Sequence, residues 1–517
     1  MFVKIFAGAV VGIDAVCVTV EVNMGDSGIG LWLVGLPDNA VKESQERIHA
    51  AFGNLDFVMP YKKVVVNLAP ADLRKEGAAF DLPIAVGILA VSGQIESARL
   101  ADTMILGELS LDGSIRPIRG ALSFALAAKE MGFRRIILPE ESGAEAAVVE
   151  GVEVLAVKNL RQLANWFNGL EEIEPTVASV GDEVDLGSDE LYAEDFADVK
   201  GQSQVKRAFE IAAAGGHNII MIGSPGSGKT MLARRLPTIL PPLTLDEALE
   251  TTKVYSVAGK LGVKRGLMLE RPFRAPHNIT SRVAIIGGGT SPQPGEISLA
   301  HNGILFLDEL PEFGRDVLEV LRQPLEERQI TISRARYSVN YPANFTLVAS
   351  MNPCPCGYYN HPTKECSCSA ASVHRYLGRI SGPLLDRIDL HIEVEPVSIA
   401  QINATQEEER SATIRRRVVA ARERQRRRFE VADPTGVVRT NGLMTSRMVR
   451  ELCPLDGAAR KMLEMAMERL HLSVRAYDRI IKVARTIADL DDKDDITLTH
   501  IAEAIGYRSL DRDSWGR

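Results

Sequence analysis

The segment Gly223-Ser-Pro-Gly-Ser-Gly-Lys229-Thr230, followed downstream by Ile304-Leu-Phe-Leu-Asp308-Glu309, constrains this chain more than anything else in it. A glycine-rich loop between a strand and a helix offers consecutive backbone N–H groups to a triphosphate, its lysine reaches the β and γ phosphates, and its hydroxyl ligates Mg²⁺. Gly223, Ser224, Pro225, Gly226, Ser227 and Gly228 form that loop here, with Lys229 and Thr230 following. Its flanks are legible: His217-Asn-Ile-Ile-Met-Ile222 is an apolar run ending at glycine, and Met231-Leu-Ala-Arg-Arg-Leu236 continues with helix formers. The second segment is a buried apolar strand delivering two carboxylates, Asp308 placed for Mg²⁺ and Glu309 for polarising a water. Both segments in this order imply a nucleotide triphosphatase that uses Mg²⁺.

At 517 residues the chain is too long for one core. The net charge of -8 gives no global sign of a nucleic-acid partner, so any such surface is a local patch. No apolar run is long enough to span a bilayer, and the start Met1 to Asp14 lacks the charged and apolar regions of a secretory leader; a cytoplasmic protein without a membrane partner is expected. Residues 1–168 alternate strand-like runs (Val16 to Val22, Leu31 to Val34, Lys63 to Asn67, Arg135 to Leu138, Val152 to Val157) with helix-like stretches, an α/β or α+β domain. Residues 169–191 are acidic and read as a linker. Residues 192–396 hold the triphosphatase elements, and 397–517 carry helix-period apolar residues throughout.

Further pieces arrive in the order found in AAA+ ATPases. Asp198-Val199-Lys-Gly201-Gln202 is similar to the segment that packs on the adenine; Leu347-Val-Ala-Ser-Met-Asn352 is similar to the strand whose asparagine orients the attacking water. Gly382-Pro-Leu-Leu-Asp-Arg387 is similar to the segment that gives magnesium-chelatase-like AAA+ proteins an arginine finger, and Ser473-Val-Arg475 resembles the second sensor. Together with Gly35-Leu-Pro-Asp38, Asn67-Leu-Ala-Pro-Ala-Asp72, Met351-Asn-Pro-Cys-Pro-Cys-Gly357 and Ala484-Arg-Thr-Ile-Ala-Asp489, these strings resemble the bacterial ComM/YifB family of magnesium-chelatase-like proteins over nearly the whole chain. The resemblance implies an AAA+ P-loop core with a C-terminal helical lid, preceded by a Lon-protease-like (ribosomal S5 domain 2-like) α+β domain. It implies a homo-hexameric DNA motor promoting branch migration in homologous recombination and natural transformation. Catalytic roles then fall to Glu309, Asn352, Arg387 and Arg475, and adenine contacts to Val199 and Gly201. DNA contacts fall to Arg274 and Arg282 in an insert before the acidic strand and to Arg334 and Arg336 in a hairpin before Asn352. A chelatase-type ATPase subunit acting on a protein partner and an ATP-dependent Lon-like protease are the alternatives.

The protease alternative is disfavoured because the resemblance places Ala79 at the nucleophile and Leu122 at the lysine base, and neither side chain can supply an activated hydroxyl or a proton acceptor. Cys354, Cys356, Cys366 and Cys368 offer four thiols that suit either structural Zn²⁺ or free redox-sensitive thiols. The arginine-rich stretch Arg415 to Arg428 is either a solvated charged helix or a surface that meets phosphates or a neighbouring subunit through Arg422, Arg426 and Arg428.

Overall fold

The computed structural model describes all residues except 27, 178–191, 263–265, 290–291, 335–336, 362, 399–400, 402–406, 471 and 509–517. Most of the expected linker, and Arg336, therefore lie outside the described residues, as does the side chain of Arg334. Among the described residues no helix is long and apolar enough to cross a membrane.

Strict alternation builds the first sheet. Strand Asp14–Met24 buries Val18, Val20 and Val22 on one face. It pairs antiparallel with Phe2–Val11 through a tight turn in which Gly12 takes φ +71. Across the sheet the order is Gly30–Val34, Lys63–Ala69, Asp14–Met24, Phe2–Val11, Thr103–Ile105, Arg135–Pro139 and Glu153–Val157. Helix Asp81–Val91 packs on the Phe2–Val11 and Asp14–Met24 strands with every residue buried, which is why its sequence after Asp81 is apolar all round.

The second sheet has five strands, all parallel, ordered Phe273–Arg274, Ile304–Leu307, Thr346–Met351, Ile219–Ile222 and Leu390–Glu393. Ile219–Ile222 and Ile304–Leu307 are buried at every position, as expected of parallel strands covered on both faces. Their carboxyl ends carry the phosphate loop and the two acids side by side, which is where open α/β sheets hold ligands. C-terminal helices Ser411–Ala432, Ser446–Leu452, Gly457–Arg469, Val474–Leu490 and Leu498–Gly506 share one apolar cluster with the helices flanking the phosphate loop, through Phe209, Leu236, Ile480, Ile487 and Ile501.

The two sheets are pinned together by a buried carboxylate. Helix Leu245–Val257 of the second unit packs on helix Ala121–Glu130 of the first. Glu145 accepts there from the Leu122 backbone N–H at 2.7 Å and from the Ser256 hydroxyl, while Ser256 Oγ also accepts from Gly120 N–H at 2.9 Å. Lys253 pairs with Asp14 at 2.8 Å beside it. Leu122 thus holds, through its backbone N–H, the carboxylate that reaches Ser256 of the second unit. Burial pushes the Glu145 carboxyl above its usual range against the opposing pull of Ser256 and Leu122. With its folded value above the unfolded one, the cost of the buried charge is present above the folded pKa and relieved as pH falls through it. Glu145→Gln keeps an acceptor without the charge, so its thermal midpoint should exceed wild type at alkaline pH, with the gain shrinking on acidification. Glu145→Ala leaves two buried donors without their acceptor and should cost about 1–3 kcal/mol for each. Thermal unfolding across the pH range checks both.

Candidate active site and its arginines

The site is built from the phosphate loop outward. Helix Lys229–Ile239 starts at Gly228 with φ +92, a conformation other residues rarely adopt. At Gly223 a Cβ would come within 2.4 Å of the Val394 carbonyl, so only glycine lets the loop leave the sheet there. Lys229 Nζ folds back on its own loop, donating to the carbonyls of Gly223 at 2.7 Å and Ser224 at 3.0 Å and to Asn352 Oδ1 at 3.3 Å. Burial lowers its pKa, opposed by the charges of Asp308 and Glu309. The Ser224 and Ser227 hydroxyls are buried without a partner among the described residues, which suits a loop whose donors serve a bound triphosphate. Gln202 donates to the Ser227 carbonyl at 3.0 Å and Arg235 pairs with Asp198 at 2.8 Å, so the Val199 and Gly201 segment lies against the loop. Val199 itself is wholly buried, and Gly201 N–H is taken by Glu408 at 2.7 Å.

Thr230 Oγ1 donates to Asp308 Oδ2 at 2.9 Å. Octahedral Mg²⁺ with bonds of about 2.0–2.1 Å sets neighbouring oxygens ~2.9 Å apart, so these two atoms fit one edge of such a shell. The second Asp308 oxygen takes the hydroxyl of buried Ser350, and Ser350 Oγ accepts from Glu309 N–H at 3.3 Å. Glu309 adopts φ +53, which turns its exposed carboxylate out of line with the strand. Asn278 Nδ2 donates to Glu309 Oε2 at 3.3 Å. Neither Ser350 nor Asn278 stands out by sequence. Ser350 lies two residues before Asn352 in an extended run, and that spacing is the signal that could have put both on one face.

The structure separates Arg387 and Arg475 from these groups. Asn218, just ahead of the phosphate-loop strand, donates to the Arg387 carbonyl at 3.0 Å, and its own carbonyl accepts from Asp389 at 3.0 Å. Arg387 thus sits at the amino edge of the sheet, and at 3.3 Å per residue the phosphate loop is roughly 16 Å further along the strand. Its side chain is buried, pairs with Glu326 at 2.5 Å, and keeps Nε without a partner among the described residues. Exposed Arg475 stands on the same edge: Ser473, capping its helix, donates to Asp386 at 3.5 Å. Partial burial pushes the Glu326 carboxyl up, but Arg387, Arg475 and Arg479 together hold it below its usual value.

Of the arginines expected to face DNA, Arg274 makes a bidentate pair with Glu296 at 2.6 and 2.8 Å. Arg282 is exposed at the start of helix Arg282–Ile286, beside exposed Ile279 and Val283. Of the two readings of helix Ser411–Ala432, the single phosphate-facing row through Arg422, Arg426 and Arg428 does not form. Arg422 turns inward to the Ala213 carbonyl at 2.7 Å and Arg428 pairs with buried Asp489, while Arg426 stays outside on Glu423 and Glu430. Arg417 and Arg424 are engaged by Glu210, Glu409, Asp492 and Asp494. The helix is a brace whose cations find carboxylates and carbonyls distant in sequence.

The four cysteines converge. Their Sγ atoms lie within 4.8 Å of one another, with Cys354 at 3.3 Å from Cys356 and 3.7 Å from Cys366, and Cys356 at 3.5 Å from Cys366. Four thiolates around a metal at about 2.3 Å stand ~3.8 Å apart, so the group is near a tetrahedral shell and could hold a metal ion. Tyr359 N–H donates to Cys354 Sγ at 3.3 Å and Cys368 N–H to Cys366 Sγ at 3.4 Å. Gly357 in this loop rests on Pro225 of the phosphate loop, where a Cβ would approach within 2.6 Å.

Three family descriptions match in chain order: subunit ChlI of Mg-chelatase over residues 18–142, magnesium chelatase subunit ChlI over 195–402, and the ChlI C-terminal region over 408–508. YifB of Salmonella typhimurium is 44% identical over 98% of this chain and 96% of its own length. Competence protein ComM of Haemophilus influenzae is 43% identical over 98% of this chain and 97% of its own. The magnesium-chelatase 38 kDa subunit of Cereibacter sphaeroides is 28% identical over 31% of this chain and 52% of its own.

Proposed function

Since the chain belongs to the ComM/YifB family of magnesium-chelatase-like proteins, we propose that it is an ATPase whose subunits close into a hexameric ring on DNA and drive branch migration of recombination intermediates. The observation that carries this reading is the position of Arg387 and Arg475. Charge develops on the transferred phosphoryl oxygens, and a single chain leaves both cations at the wrong end of its own sheet to meet it. A neighbour's phosphate loop facing that edge completes the site, so catalysis requires assembly. The competence name of the Haemophilus influenzae relative supports a DNA-processing role, and exposed Arg282 is one cation of the insert able to meet a phosphate backbone.

Within the site Lys229 leaves its loop carbonyls for the β and γ phosphates, and Thr230 with Asp308 holds Mg²⁺. The ion supplies charge to the developing phosphoryl anion. Glu309 takes the proton of the attacking water, and Asn352, fixed beside Lys229, orients that water. Asn278 occupies one oxygen of the base in this state, which ties the insert bearing Arg282 to the chemistry.

ATP turnover measured alone and with single-stranded, duplex and four-way-junction DNA tests the reading. Strong stimulation by DNA supports it; stimulation by chelatase partners but not by DNA favours the chelatase-type alternative.

For the cysteine cluster the proposed ion is structural Zn²⁺. Purified protein should carry about one zinc per chain by elemental analysis. Cys354→Ser with Cys366→Ser should lose it and, through the contact of Gly357 with Pro225, weaken ATP binding.

A further inference from the structure

At the amino edge of the five-stranded sheet, opposite the phosphate loop, lies a polar cavity of about 50 Å³ where the strand starts Gly303 and Thr346 meet the C-terminal helices. Four guanidinium groups line it: Arg271 and Arg328 from the sheet side, Arg422 and Arg439 from the helical side. Glu247 is the lining carboxylate and is shared, at 2.9 Å from Arg271 and 3.7 Å from Arg439. Arg271 also donates to the carbonyls of Pro241, Pro242 and Asn302, which accounts with Glu247 for four of its five N–H groups. Arg422 reaches the Ala213 carbonyl through Nε and Nη2, and Arg328 the Phe345 carbonyl through Nη1. Among the described residues neither has a carboxylate partner. Asp389, the further carboxylate that acts on Arg328, is engaged by Arg479 and His217.

Four cations against one anion in a confined space is a costly arrangement unless something neutralises it. Burial holds both Arg328 and Arg422 down to about 10, helped by Arg479 and Arg271 respectively, with Asp389 and Glu247 opposing. A volume of about 50 Å³ admits roughly four water-sized oxygens, the complement of one tetrahedral oxyanion, whereas organic ligands occupy about 300–1,000 Å³.

We propose that Arg271, Arg328, Arg422 and Arg439 form a second anion site, separate from the ATP site, that binds one phosphate-type oxyanion and ties the C-terminal helices to the edge of the sheet. Guanidinium forks match the planar pairs of oxygens that phosphate offers from several sides. Because two of the four arginines come from each side, the anion adds a removable link between parts of the chain that apolar packing and ion pairs such as Arg479 with Asp389 also join. The source is inorganic phosphate or the phosphate at the end of a DNA strand. The proposal stands on this cavity alone and does not depend on the motor reading.

Equilibrium dialysis of the full chain with labelled inorganic phosphate, at ionic strength fixed with chloride, tests it. The Lys229→Ala background removes the phosphate loop as a competing site. About one equivalent should still bind, with affinity lowered roughly tenfold or more by Arg422→Gln. Arg439→Gln, at the exposed rim and no threat to folding, should weaken it in the same direction. Phosphate binding that vanishes with Lys229→Ala, or that ignores both arginine substitutions, overturns the proposal. Displacement of the label by a 5′-phosphorylated oligonucleotide and not by its 5′-hydroxyl counterpart assigns the anion to a DNA end; absence of displacement assigns it to free phosphate.

Discussion

Glu309→Gln should bind ATP and assemble like wild type while hydrolysing it about 10²–10⁴ times more slowly, the range set by removing a positioned general base. Glutamine has nearly the shape of glutamate, so Asn278 keeps a partner and the turn at φ +53 is unchanged. Asp308, Thr230 and Lys229 remain to hold nucleotide and metal. Binding and turnover should therefore part company, with nucleotide affinity by filter binding close to wild type and phosphate release in a coupled assay nearly abolished. Retained turnover would remove Glu309 from the chemistry and shift attention to another carboxylate.

Arg387→Ala should lower turnover by about 10³–10⁵ if the guanidinium serves a neighbour's triphosphate. That loss alone would not show which chain it serves, but mixing does. A chain carrying Arg387→Ala retains Glu309, and a chain carrying Glu309→Gln retains Arg387. Where the two meet in the right order an intact composite site forms, so the inactive proteins should regain partial activity when combined. No recovery on mixing, with assembly verified by sedimentation, would place the arginine's role within its own chain. The pairing of Arg387 with Glu326 adds a detail: the side chain must leave Glu326 to reach across, so Glu326→Gln should not mimic the loss.

What could be seen in the sequence follows from how local each feature is. The strand, loop and helix around Lys229 and the acidic strand end at Asp308 are written in consecutive residues, and the structure brings them together. Helices Ser446–Leu452 and Val474–Leu490 match the 3.6-residue pattern to their ends. Strand Phe2–Val11 is hard to read in the sequence because buried Ile5, Ala7 and Ala9 alternate with little polar contrast. The arginine-rich helix stays ambiguous in the sequence for a different reason. Its partners Ala213, Asp489 and Asp492 lie far away in the chain, and charge composition carries no trace of them. Strand direction and register likewise decide which end of the sheet receives Arg387, and no motif spells that out. Asn278 acquires its role only from folding of the insert onto Glu309.

The junction at Glu145 bears on whether the two units can be parted. Val254, Tyr255 and Leu299 are buried together with Ile13 of the first unit. Cutting away residues 1–168 would bare that apolar surface and strand Ser256, leaving the remainder prone to clump instead of working on its own. The first unit therefore shields the second from solvent, and the two must stay together for either surface to remain covered.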